Sequence, residues 1–191
     1  MNADQVIDEF KETGALLEGH FQLTSGLHST VYLQCARVLQ FPQKAAAFGA
    51  AIAEKFGGQG IQLVVSPAIG GIVIGHEVAR ALGARFIWTE REAGRMTLRR
   101  GFTVSPGEKT LVVEDVITTG GSTRETIDAL KDAGADVVGA ASIIDRSAGA
   151  ADVSVPRMAL ASLKVLSVEP DACDACRLGE PVVKPGSRKS A

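Results

Sequence analysis

The stretch Leu111–Ile127, LVVEDVITTGGSTRETI, runs from apolar residues through two adjacent acids into threonines, glycines and a serine. Its unbroken apolar start reads as a strand buried on both faces, and Ile127 and Leu130 carry helical spacing beyond it. A helix N-terminus presents unpaired N–H groups and a partial positive charge, which suits a phosphate. Gly120 and Gly121 let the backbone approach a ligand with no Cβ in the way. Thr118, Thr119, Ser122 and Thr123 add hydroxyl donors, and the space suits one phosphate group better than three. No lysine lies among these residues and no Gly-Lys-Ser/Thr occurs, which excludes a Walker loop.

Glu114 and Asp115 need a different partner. Carboxylates only accept hydrogen bonds, so they favour hydroxyls or a metal over phosphate. A ribose 5-phosphate satisfies both halves, with its phosphate on the helix start and its 2- and 3-hydroxyls donating to the acids. Neighbouring residues of a regular strand face opposite ways, so this reading expects the strand to end near Asp115. Taken alone, a Gly-rich strand-to-helix turn is also an ordinary turn whose Ser or Thr caps the helix.

Working outward, strands and helices alternate. Val6, Ile7, Phe10, Leu16 and Leu17 suit an amphipathic helix over residues 4–18. FQLTSGLHSTVYLQCARVL reads as strand, turn and strand. Pro42 opens an Ala-rich helix that Gly57 and Gly58 stop. IQLVVS, ARFIWTE, KTLVVED, DVVGAASIID and RMALASLKVL read as core strands. A helix follows PAIGG as far as about Leu82, and another spans Gly121 to Ala133. The pattern predicts an α/β fold with a central, mostly parallel sheet flanked by helices. Ligands bind at the carboxyl ends of such strands, which here are SPAIGG, TEREAGR, EDVITTGGS and DRSAG.

The 191 residues fit one domain, 46% hydrophobic with a formal net charge of -2. That charge gives no electrostatic reason to expect nucleic acid or a membrane as partner. No apolar run approaches the roughly 20 residues that span a bilayer, and MNADQVIDEF lacks a signal-peptide plan. Three cysteines argue against a disulfide framework and place the chain in the cytoplasm.

VVEDVITTGGST resembles the phosphoribosyl pyrophosphate (PRPP) signature of type I phosphoribosyltransferases. With FQLTSGLHSTVYLQCARVL, VVSPAIGGIVIGHEVARALGARFIWTEREAGRMTLRRGF and IIDRSAG, the likeness is to the orotate phosphoribosyltransferases in their short bacterial form. The resemblance implies one domain over 1–191. It has a small N-terminal base-binding hood (about 1–40) and a flexible lid (about 91–101), and the composition of PVVKPGSRKSA (about 181–191) reads as a loosely ordered tail. It further implies transfer of ribose 5-phosphate from PRPP to N1 of orotate, giving orotidine 5'-monophosphate and pyrophosphate. Mg2+, held mainly by PRPP, and a homodimer with a lid shared across its interface are implied too. PRPP would lie along Glu114, Asp115, Val116, Ile117, Thr118, Thr119, Gly120, Gly121 and Ser122. Orotate would meet Thr118 and Arg146, with Thr24, Ser25 and Gly26 as the other wall. Arg146 fits because a guanidinium forks onto a carboxylate; a surface pair with Asp145 is the plain alternative. Ser66, Pro67, Ala68, Ile69, Gly70 and Gly71 resemble the pyrophosphate loop. A dinucleotide fingerprint there fails, because Ile72 stands where the middle glycine is needed. Many relatives carry lysines and a histidine in the lid, whereas this chain has only Arg91, Arg95, Arg99 and Arg100 there. These are the lid candidates, and no catalytic acid or base is singled out. The alternatives are a transferase for another base and a non-catalytic PRPP-sensing regulator on the same fold.

Cys173 and Cys176 have the spacing of half a zinc knuckle or of a redox pair. A structural zinc needs four ligands, and Cys35 is the only other cysteine. A full site would require a partner subunit or a histidine, so free thiols are the default. His20, His28 and His76 are scattered and read as structural or surface residues, and Trp88 reads as core.

Overall fold

The computed structural model describes residues 1–23, 25–165 and 167–185. Helix α1 (Ala3–Glu12) starts at Asn2, whose side chain and that of Gln5 each accept the other's backbone N–H. Such a capping box satisfies two otherwise orphaned donors. The expected helix over 4–18 is shorter than its apolar spacing suggests. Gly14 takes a φ of 63°, a left-handed turn that reverses the chain. Leu16 and Leu17 therefore fall on strand β1 (Leu16–Gln22), antiparallel to β2 (His28–Leu33).

Next come α2 (Ala36–Leu39), α3 (Pro42–Phe56), β3 (Leu63–Pro67), α4 (Gly71–Leu82), β4 (Arg85–Glu92) and β5 (Arg95–Leu98). They are followed by β6 (Lys109–Ile117), α5 (Gly121–Asp132), β7 (Asp136–Asp145), β8 (Arg157–Ser162) and β9 (Ser167–Val168). A 3-10 turn (Pro170–Ala172) and α6 (Asp174–Arg177) complete the order. The main sheet runs β5-β4-β3-β6-β7-β8. Every pairing in it is parallel except β4 with β5.

Alternate residues of β3 and β6 face two cores. Val64, Leu111 and Val113 pack with α1, α3 and α4 through Phe10, Phe48, Ile52 and Ile74. Leu63, Val65 and Val112 pack on the other face with Ile127 and Leu130 of α5. Burying each such side chain contributes about 1.5–3 kcal/mol. From β3 the chain crosses through α4 to β4, and from β6 through α5 to β7 on the opposite side. The crevice between β3 and β6 is thus a topological switch point, where open α/β sheets bind ligands.

Three expected segments differ from their sequence reading. The expected lid (about 91–101) begins within a β-hairpin in which Glu92 faces Arg95 and Arg91 faces Met96. Its two-residue turn has Ala93 at φ 47° and Gly94 at φ 84°, the positive-φ geometry that matches strand twist. An Ala-Gly pair carries little of the usual Asn-Gly signal, so the hairpin was hidden. The tail from Pro181 is anchored over its described residues: Gln22 N donates to Val183 O and Val183 N to His20 O, both at 2.8 Å. Residues 186–191 lie outside the described residues. The hood is likewise not purely N-terminal, since β9 pairs with β2 to make a three-stranded sheet β1-β2-β9. No helix among the described residues is long and apolar enough to cross a membrane.

Candidate active site

The acid pair sits where β6 loses its neighbour. Pairing of β3 with β6 stops at Val65–Val112, so beyond Val112 that side of β6 is open. Contrary to expectation, the strand continues two residues past Asp115, to Ile117. The carboxylates still converge, because both curl round this open edge towards the Ser66–Gly71 loop. A Cβ at Gly70 would stand 2.8 Å from both Asp115 carboxylate oxygens, and one at Gly71 would stand 3.3 Å from Glu114 Oε1. Only glycine permits so close an approach.

Burial, followed by repulsion from Asp115, pushes the Glu114 carboxyl well above its ordinary value. Burial raises Asp115 as well, against a hydrogen bond to its Oδ1 from Val116 N. Cys35 lies alongside, its thiol pushed up by burial and then by Asp115. Acceptors held close together and short of donors suit a hydroxyl-rich ligand.

Past the acids, Gly120 takes a φ of 79° and lets α5 start abruptly. A Cβ there would stand 2.9 Å from Val153. Residues 116–123 and Glu114 line a small cavity of about 60 Å3, the size for one phosphate. No side chain caps α5, so its first N–H groups face this cavity without a local acceptor, apart from a long 3.5 Å contact from Gly121 N to Thr119 Oγ1.

A larger cavity of about 600 Å3 adjoins it and is lined by Ser25, Tyr32, Asp115, Thr118 and Arg146, among others. Arg146 N donates to Ile117 O at 2.8 Å, which ties the β7 end to the β6 end. The plain alternative for Arg146 fails: Asp145 is bonded to Arg157 at 2.9 Å and to the Ser147 hydroxyl at 2.6 Å. Arg146 Nε is one of two buried side-chain polar atoms without a partner among the described residues, the other being Ser66 Oγ. Buried donors are nearly always satisfied, so an orphan on a cavity wall marks a place for an acceptor. Burial pulls the Arg146 guanidinium below its ordinary value, yet a guanidinium stays charged.

The structure thus gathers Glu114–Ser122, Ser66–Gly71, Arg146 and Ser25 around one crevice. Thr24 lies outside the described residues, and Gly26 follows Ser25 in the loop between β1 and β2. The lid arginines are not gathered there. Arg91 bonds Glu125 at 2.9 Å, Arg99 meets Glu90 and Glu92, and Arg100 pairs with Glu90. Arg95 makes no ion pair among the described residues and lines a groove with Glu125 and Asp128. Trp88 is only partly buried, edge-on to Phe102 and under Arg100, and its indole donates to Glu90. Sequence reasoning missed Tyr32, Cys35 and Ser167 as cavity residues. Nothing local marks them, and Ser167 arrives only through the β2–β9 pairing.

Comparison with known proteins agrees with this geometry. A phosphoribosyl transferase domain model matches residues 35–164. An orotate phosphoribosyltransferase of Pelotomaculum thermopropionicum is 52% identical over 189 residues, covering 99% of this chain and 100% of its own. One of Desulforamulus reducens is also 52% identical over 189 residues, covering 99% of each. The crystal structure of orotate phosphoribosyltransferase from Aeropyrum pernix superposes with a TM-score of 0.68 at 27% identity, covering 83% of this chain and 94% of its own. The chain belongs to the phosphoribosyltransferase family, among the orotate phosphoribosyltransferases.

Proposed function

We propose that this protein transfers the ribose 5-phosphate of PRPP to N1 of orotate in the synthesis of UMP. The observation that carries this reading is the unpartnered Arg146 guanidinium nitrogen on the large cavity, beside the acid pair and the start of α5. The orotate carboxylate would fork onto Arg146, with Thr118 and Ser25 on either side. Glu114 and Asp115 would accept from the ribose hydroxyls, and the N–H groups and hydroxyls of Thr118–Ser122 would take the 5-phosphate. Ser66–Gly71 would receive the pyrophosphate, where the backbone N–H groups at the start of α4 offer donors.

The two carboxylates of the acid pair are hard oxygen donors, which suit Mg2+. Held mainly by PRPP, the ion would offset charge on the leaving pyrophosphate. The protein's own part would be positional: it would hold C1 of the ribose between the base cavity and the Ser66–Gly71 loop, with attack from one side and departure to the other. Arginines of the β4–β5 hairpin would neutralise the pyrophosphate and exclude water on closing, from a partner subunit. The three free cysteines fit a reducing cytoplasm.

The test is pyrophosphate release by folded protein given PRPP, Mg2+ and orotate, with uracil, adenine and hypoxanthine as competing bases. Turnover with orotate alone is expected. No release with any base would remove the activity, and turnover of another base in preference would reassign the Arg146 cavity.

A further inference from the structure

His20, His28, Cys173 and Cys176 are far apart in sequence and meet behind the hood. One ligand-type atom from each falls within 4.8 Å of the other three. His20 Nε2 is 2.8 Å from His28 Nδ1, 3.5 Å from Cys173 Sγ and 3.6 Å from Cys176 Sγ, and Cys176 Sγ is 3.2 Å from His28 Nδ1. A tetrahedral zinc with its usual bond lengths has edges of about 3.3 Å between nitrogens and about 3.5 Å from nitrogen to sulfur. These four distances match the corresponding edges to within about half an ångström, and the remaining pairs lie within 4.8 Å, so side-chain rotations would complete the polyhedron. Both histidines and Cys173 are buried.

The outer contacts fit as well. His20 Nδ1 lies 3.0 Å from Glu180 O. A carbonyl only accepts, so Nδ1 carries the proton and Nε2 presents its lone pair to the cluster. A backbone carbonyl behind a ligating imidazole is the usual outer-shell arrangement of zinc histidines. Two thiolates would cancel the charge of Zn2+, leaving a neutral centre in a buried place. A hydrogen bond between the two rings would satisfy those nitrogens alone, but it leaves unexplained why both sulfurs of a Cys-x-x-Cys turn close over the same point.

We propose that these four residues form a structural Cys2His2 zinc site. With four protein ligands it has no open position for substrate. All four lie outside residues 35–164, the span shared with phosphoribosyl transferase domains at large. The site would staple α6 and the tail to β1 and β2, whose connecting loop walls the large cavity through Ser25 and Leu27. Zinc would therefore hold the base-facing wall without touching the reaction.

The experiment uses untagged full-length protein purified without chelator. Elemental analysis should find one zinc per chain. Replacing it with Co2+ should give the visible bands of a tetrahedral ion together with a thiolate charge-transfer band. Cys173→Ser and Cys176→Ser should each lose the metal and lower the melting temperature, whereas Cys35→Ser should keep it. On the proposed reaction, metal loss should raise KM for orotate more than KM for PRPP; the metal content itself does not depend on that assignment. The inference is overturned if folded wild-type protein dialysed against Zn2+ retains none, or if its cobalt spectrum lacks the thiolate band. It is equally overturned if mass spectrometry finds a Cys173–Cys176 disulfide and no metal. The cobalt spectrum needs only the wild-type chain, so a variant that fails to fold leaves the test standing.

Discussion

Arg146 and Asp115 face the same cavity from opposite electrostatic sides, and their substitutions should separate. Arg146→Ala removes a charge-assisted fork, about 1.5–3 kcal/mol, and should raise KM for orotate roughly ten- to hundred-fold with a smaller change for PRPP. Asp115→Asn should instead weaken PRPP. Steady-state kinetics on both variants checks the split, and similar effects on both substrates would remove it. The raised acids add a pH dependence. Ribose hydroxyls donate to the ionised carboxylates, so PRPP affinity should fall as pH drops through the raised values of Glu114 and Asp115, starting above the ordinary carboxylate range. In Asp115→Asn the like charge beside Glu114 is gone, and this acid limb should move to lower pH. Stability runs the other way. The folded, ligand-free chain holds these protons more tightly than the unfolded one, so the contribution is full below the unfolded carboxylate values. It is lost as pH rises through the folded ones.

At the scale of elements, two glycines of α4 do different jobs. Gly71 lets the helix start against Glu114, while Gly75 lets it lie on β3 and β4. A Cβ at Gly75 would stand 2.0 Å from Ser66 Oγ and 2.6 Å from the Phe86 ring. Gly75→Ala should therefore cost about 1–3 kcal/mol by overpacking. Ser66→Ala should restore part of that in the double variant, because the hydroxyl it removes has no partner to lose. Urea unfolding of the two single variants and the double variant measures the coupling, and simple additivity would show that Ser66 is not what Gly75 spares. Neither contact is local, and this marks the limit of what sequence can tell. The strands and helices of the main sheet follow from apolar run length and Gly or Pro punctuation, and Glu114–Ser122 from the clash of acids with an anion site. By contrast, Leu16 and Leu17 leave the helix because of one left-handed glycine. The Ala93-Gly94 hairpin has weak turn chemistry. The convergence of His20 and His28 on Cys173 and Cys176 exists only once β1 pairs with β2 and the tail returns to β1.

At the scale of the molecule, the arginine hairpin and the crevice do not meet within one chain. The hairpin packs on α5, with Met96 N donating to Glu125 and Arg91 paired to the same carboxylate. The crevice lies at the N-terminus of that helix, about one turn before Glu125, and none of the four arginines lines either cavity there. A hairpin that serves catalysis from this position does so most directly for a neighbouring subunit. Arg95 is the arginine to follow, since it alone of the four makes no ion pair among the described residues and would break none on moving. Arg95→Ala should lower kcat while leaving KM for orotate nearly unchanged, because it would act on the departing pyrophosphate. Mixing subunits then separates the two arrangements. Combine an Arg95→Ala chain with an Arg146→Ala chain, unfold and refold them together, and compare with each variant alone. If the hairpin acts across a twofold interface, half of the dimers are mixed and each restores one complete site. Activity should then recover to about a quarter of wild type. If the hairpin folds back over its own crevice, no mixed dimer holds a complete site, and the mixture should do no better than the average of its parents.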